Sequence, residues 1–151
     1  MERVNRQMES MMAAARERLG RHVPEQIAER AGAAWQDRML TLETLGQTVT
    51  IRTADWTVMP RLSPWHTLAL LHYLDLADGT PPSGRMVPFS QHRDGLVRGG
   101  GMDRSAEEII RRSLGVLPPE ELARRCGRLG AEIVPSNADF CARFSFAPRC
   151  P

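Results

Sequence analysis

Lysine is missing from this chain: all 20 basic residues are arginine, set against 18 acidic ones. No lysine amine is available for a Schiff base, which excludes the usual pyridoxal and class I aldolase chemistry. The phosphate-loop lysine is missing with it, and no glycine-rich stretch ends in Lys-Ser or Lys-Thr, which argues against an ordinary nucleotide hydrolase. Long apolar runs are absent too. No stretch approaches 18 consecutive apolar residues, so no membrane-spanning helix is expected, and Met1–Gln7 lacks the apolar segment of a signal peptide. Cysteines are few. Cys126, Cys141 and Cys150 are an odd number, 15 and 9 residues apart, with no Cys-x-x-Cys knuckle and no iron–sulfur run. A cytoplasmic compartment and no metal site are the expectation. Aromatics make up 5% of the chain, which leaves Leu, Val, Ile, Met and Ala to build the core.

The net charge of +2 is too small to imply nucleic acid without a focused basic patch. Arg111–Arg112 and Arg124–Arg125 sit among Glu107, Glu108, Glu120 and Glu121, the pattern of a solvated helix surface. At 151 residues, one domain spanning 1–151 is expected, with a helical segment to residue 35 and a mixed core over 36–151.

Val4, Met8, Met11, Met12, Ala15 and Leu19 recur at helical spacing and predict a first helix over 2–19 with a methionine-rich stripe. Pro24 opens a second helix that runs to Ala31 and stops at Gly32, with Ile27, Ala31 and Trp35 facing inward. Met39–Leu45 and Gln47–Thr53 are rich in β-branched residues and flank Gly46, a hairpin signal. Trp56–Met59 adds a third short strand, reached by a turn at Ala54-Asp55 and ended by Pro60. Ser63-Pro64 caps a helix that is apolar almost all round and stops at Asp78-Gly79, which predicts a central buried helix. Residues 79–101, rich in glycine and proline, read as a long connection with a short strand at Met86–Phe89. A capping box, Ser105 with Glu108, predicts the next helix, ending before Gly115. Pro118-Pro119 opens another that ends near Gly127–Gly130, and Ala131–Val134 and Phe140–Phe146 read as strands. Strand and helix mix without regular βαβ alternation. The fold class is therefore α+β: N-terminal helices, an antiparallel hairpin or small sheet packed on a central buried helix, two further helices and C-terminal strands.

Few residues suggest chemistry. His66 and His72 lie six steps apart on one helix, roughly 120° around it, so they cannot ligate one metal from a common face. His72, beside Tyr73, reads as a hydrogen-bonded core histidine. His92 sits in the long connection with Ser90, Gln91, Arg93 and Asp94 and is the best single candidate for proton transfer; as an exposed loop histidine it would do nothing. Gly99-Gly100-Gly101 ahead of a helix offers backbone N–H groups to a phosphate or carboxylate, with Arg98 and Arg104 adding charge. The candidate anion-binding set is thus Arg85, His92, Arg93, Arg98 and Arg104. No cofactor is implied by the residues themselves.

The order of segments has a further meaning. Leu71-His72-Tyr73-Leu74, Ala77-Asp78-Gly79-Thr80-Pro81 and Ser83–Phe89, followed by Leu129-Gly130-Ala131 and the closing Phe144–Pro151, resemble the signatures of a prokaryotic family called domain of unknown function 3786. The resemblance spans about residues 10–151. It carries no catalytic residues with it. It implies that relatives continue past Pro148–Pro151 into further strands, so a C-terminally short version is expected, or an edge covered by a partner protein or a dimer mate. Some relatives are joined to an iron–sulfur domain of the kind found with corrinoid proteins, and this chain has no such four-cysteine segment.

Three readings follow. The first is a non-catalytic accessory or small-ligand-binding module with its site around 79–104. The second is a small enzyme acting on an anionic metabolite, with His92 as acid/base. The third is an interaction subunit that uses the methionine-rich first helix.

Overall fold

Two helices, α1 (Arg6–Leu19) and α2 (Pro24–Ala31), open the described part of the chain in a computed structural model that describes residues 6–150, the Asp94 side chain excepted. Met8, Ala15 and Leu19 of the expected stripe are buried, Met12 is half-buried and Met11 is exposed; Val4 lies outside the described residues. α2 stops where the sequence says it should. Gly32 takes the left-handed conformation (φ 69°), which satisfies the last turn of the helix.

The chain then enters a four-stranded antiparallel meander, β1 (Ala34–Gln36), β2 (Met39–Thr44), β3 (Gln47–Arg52) and β4 (Thr57–Met59), in that order across the sheet. The β2–β3 hairpin turns through Leu45-Gly46, with both residues at positive φ (44° and 75°). That backbone twist matches the twist of the flanking strands. β1 was not expected, and Trp35 belongs to it rather than to α2. Its turn, Asp37-Arg38, has the same paired positive φ (51° and 61°) but no Asn-Gly or Asp-Gly to announce it. Alternation is strict in β2 and β3, where Leu40, Leu42, Thr44, Val49 and Ile51 are buried and their neighbours are less so.

α3 (Pro64–Leu76) starts at Ser63, whose hydroxyl accepts the His66 N–H at 3.3 Å, with Pro64 in the first turn. Leu68, Leu70, Leu71 and Leu74 are buried, the last three in one cluster with Leu19, Ile27, Leu40, Ile51 and Trp56. Burial is not complete around the helix. Trp65, Ala69 and Leu76, at steps of four and seven, stay exposed as one stripe. Among the described residues Thr44 is the one buried polar side chain, and it shares a hydrogen bond with His66 Nε2 at 2.8 Å.

Contacts divide the chain into two compact units, residues 1–82 with 144–151, and residues 83–143. The first contains the elements above. In the second, Met86–Phe89 forms no strand: Pro88 offers no backbone donor, and single turns of 3-10 helix follow at Phe89–Gln91 and Arg93–Gly95. α4 (Gly99–Leu114) begins six residues before the expected Ser105. A Cβ at Gly99 would sit 2.3 Å from Ser90 Cα, and Asp103 Oδ2 accepts the Ser90 N–H at 3.2 Å. Glycine is thus used for the close approach of a turn, and Glu108 pairs with Arg112 instead of capping the helix. α5 (Pro119–Arg128) and a two-stranded ribbon, β5 (Glu132–Ile133) with β6 (Ala142–Arg143), complete the unit. Among its described side chains only Cys126 is buried, and Met102, Ile109 and Ile110 lie exposed along α4. Among the described residues no helix is long and apolar enough to cross a membrane.

Two predictions follow from this packing. Leu71→Ala should cost about 2–5 kcal/mol of folding stability, read by denaturant unfolding, because a fully buried site cannot refill its own volume. Burial lowers the His66 pKa below its ordinary 6.5. The unfolded chain therefore binds a proton more readily than the folded one, so stability is full above about pH 6.5 and falls as pH drops through the folded value. A thermal midpoint that declines as strongly with acid in His66→Gln as in the native chain would contradict this.

Candidate functional site

The exposed stripe of α3 is the wall of a cleft. Ala69, His72, Tyr73 and Leu76 line one side of it, and the turn Ala77–Thr80 closes its end. Arg30 of α2 and the closing segment, through Phe146, Arg149 and Cys150, supply the rest. The volume is about 440 Å3, within the usual range for small-molecule sites. Ala69 and Leu76, which the core does not cover, line this space, whereas the exposed Trp65 does not.

The closing segment is held against α2 and α3 by one hydroxyl. Tyr73 Oη donates to the Ala31 carbonyl at 2.6 Å and accepts the Arg149 N–H at 3.0 Å. Burial raises the Tyr73 pKa above its ordinary value, and the Arg149 N–H acts against that. Gly32 leaves room for the segment: a Cβ there would meet Pro148 Cβ at 3.2 Å and Arg149 Nε at 3.3 Å, at a φ that L side chains rarely adopt. Arg149 Nη1 donates to the Gly79 carbonyl at 2.9 Å, which ties the segment to the turn after α3.

Charge in the cleft is unbalanced. Arg30 and Arg149 both border it and are half-buried. Arg30 Nε donates to the Gln26 carbonyl of its own helix at 3.3 Å. Among the described residues neither guanidinium has a carboxylate within ion-pair distance, whereas Arg18, Arg21, Arg52, Arg112, Arg124 and Arg125 each have one. Asp78 also lines the cleft, but its Oδ1 accepts the Thr80 N–H at 2.8 Å, and that bond lowers the carboxyl pKa. Two guanidinium nitrogens, Arg16 Nε and Arg149 Nε, are shut off from solvent without a hydrogen-bond partner among the described residues, and of the two only Arg149 borders the cleft.

The residues singled out from the sequence lie in the other unit. Arg85, His92, Arg93, Arg98 and Arg104 are all exposed. His92 leans on Phe89, with ring centroids 6.4 Å apart. Arg98 precedes the first turn of α4 without capping it by its side chain, and Arg104 Nε donates to the Gly100 carbonyl at 3.2 Å. Arg104 lines a second cavity, of about 430 Å3, on α4 with Glu107, Glu108 and Arg111. Asp94, grouped with His92 in the sequence, has its side chain outside the described residues. Gly99–Gly101 is the first turn of α4 itself rather than a loop ahead of it. Sequence reasoning missed Arg30 and Arg149 as a pair, because 119 positions separate them and no motif links a helix C-terminus to a closing turn. Among the described residues no group of three His, Cys, Asp or Glu side chains is placed to hold a metal ion.

Tyr73→Phe removes one hydroxyl and strands both a carbonyl and an N–H. Its expected cost is about 1–3 kcal/mol, together with faster amide exchange at Arg149; unchanged exchange there would mean that the hydroxyl does not hold the segment.

No curated protein and no solved structure matches this chain. A family model described as Domain of unknown function (DUF3786) does match, over residues 23–151. That stretch begins with the residue before α2 and takes in every wall of the cleft, and the chain belongs to the DUF3786 family.

Proposed function

We propose that this chain is a non-catalytic, small-ligand-binding accessory module whose ligand is a small organic anion bound in the cleft beside α3. The observation that carries this reading is the pair Arg30 and Arg149, half-buried at one cleft without a described carboxylate partner. A partly desolvated guanidinium with no counter-charge is costly to keep and gains most from an oxyanion, which its planar fork can grip through two N–H groups. Ala69, Leu76 and Phe146 give the opposite character. They favour a ligand with an apolar body behind its acid group, the usual division of labour in small-molecule sites.

Nothing in the cleft requires a reaction. Of its ionisable side chains, Arg30, Arg149 and Tyr73 donate hydrogen bonds to backbone carbonyls, Asp78 accepts one from a backbone N–H, and His72 meets Arg18 through Nδ1. This supports binding over catalysis. The site residues of the proposal are accordingly Arg30 and Arg149.

Hexanoate is a suitable probe, since it joins a carboxylate to an apolar tail. At a concentration of about 100 times its dissociation constant, it should raise folding stability by about 2.7 kcal/mol, seen as a higher thermal midpoint. Arg30→Gln, which alters no described tertiary hydrogen bond, should abolish most of that rise. A rise of equal size in Arg30→Gln, or none in the native chain, would rule the reading out.

A further inference from the structure

We propose that His72 is a further ligand-binding residue of this cleft, fixed by Arg18 as the Nε2–H tautomer and so presenting a hydrogen-bond donor to the ligand. This rests on the anion-binding reading above and adds what the cleft selects.

Arg18 is itself well placed. From α1 its Nε donates to Asp75 Oδ2 at 2.6 Å, and the Asp75 side chain is only 9% exposed. Asp75 lies three residues beyond His72 on α3, so the same guanidinium reaches both. Its Nη2 stands 3.4 Å from His72 Nδ1. A guanidinium has five N–H donors and no acceptor. The contact is a hydrogen bond only when Nδ1 carries a lone pair, and in an imidazole with a bare Nδ1 the proton sits on Nε2. The other tautomer would aim one N–H at another. Asp75 keeps Arg18 in place, and Arg18 thereby sets the ring.

Nε2 meets no described hydrogen-bond partner, and the ring lines the cleft. Three groups there are donors without a described carboxylate partner: the guanidinium groups of Arg30 and Arg149, and the N–H of His72; the Asp78 carboxylate beside them has its Oδ1 taken by the Thr80 N–H. These three donors outnumber the one carboxylate and favour an oxyanion over a group that must itself donate to them. The cleft should therefore prefer a deprotonated acid to the amide or amine of the same carbon skeleton, because the amine or amide N–H would be left facing an N–H.

Nitrogen-15 spectroscopy of the histidine rings tests this directly, in the intact chain and before any ligand is added. The expected result is a protonated Nε2 and a bare Nδ1 at His72, with that preference lost in Arg18→Met. A protonated Nδ1, or a preference that survives Arg18→Met, overturns the proposal. Hexanoate should then shift the His72 Nε2 signal, and hexanamide should not. His72→Leu should weaken hexanoate on the order of tenfold, while His72→Gln, which restores an N–H, should recover most of the loss. If hexanoate moves the Arg30 and Arg149 side-chain signals but not His72, this inference fails and the anion reading stands. If it moves none of them, both fail.

Discussion

One hydroxyl group, that of Tyr73, joins three of the pieces of chain that wall the cleft. It joins the last carbonyl of α2 to the backbone of the closing segment while its own ring is carried by α3. Three separate pieces of chain thus meet at one oxygen atom, which uses its donor and an acceptor lone pair together. Without it, the Ala31 carbonyl and the Arg149 N–H would both lose their partners in a half-buried place, where water does not fully compensate. Gly32 is the second condition. Its left-handed φ ends α2, and its missing Cβ lets Pro148 and Arg149 come within contact distance. A single residue therefore stops a helix and seats a segment that is remote in sequence.

The arginine content acquires a pattern once the structure is known. On α4 and α5, Arg112, Arg124 and Arg125 pair with glutamates three or four residues away, as exposed helix arginines do. Such pairs contribute little to stability. Arg18 differs, since its partner Asp75 is nearly buried and lies on another helix. Arg30 and Arg149 differ again in having no described partner of opposite charge. The same residue type thus decorates a surface, joins two helices and lines a cleft, according to what lies within about 4 Å.

Local signals and observed elements agree where the cause is local. Ser63-Pro64, Gly32, Gly46 and Pro119 each act through their own backbone preference, and each marks an element boundary in the structure. Agreement ends where a neighbour decides. Asp37-Arg38 makes a hairpin turn with no glycine because β2, already paired to β3, offers its free edge to Ala34–Gln36. Ser105 and Glu108 have capping-box spacing, yet α4 starts at Gly99, where a turn packs too closely for any side chain. Of the segments on which the family resemblance was read, Ser83–Phe89 and Leu129–Ala131 supply none of the cleft wall, whereas those within residues 71–80 and the closing 144–150 supply most of it. Their importance was legible in the sequence, but the chemistry they assemble was not.

The sequence by itself determined the α+β class, the meander's central hairpin, the cap and apolar character of α3, the limits of α2 and α5, and membership of the family. The individual elements are each written within a window of some 20 residues, in hydrophobic period and turn chemistry, and the class and the family in the order of those elements and segments along the chain. Only the tertiary structure decided which stripe of α3 stays uncovered, which two arginines border one cleft, and which histidine nitrogen meets Arg18. Those depend on distances between residues that are 54, 76 or 119 positions apart. No local preference encodes such a distance, because it is fixed only when the core has packed.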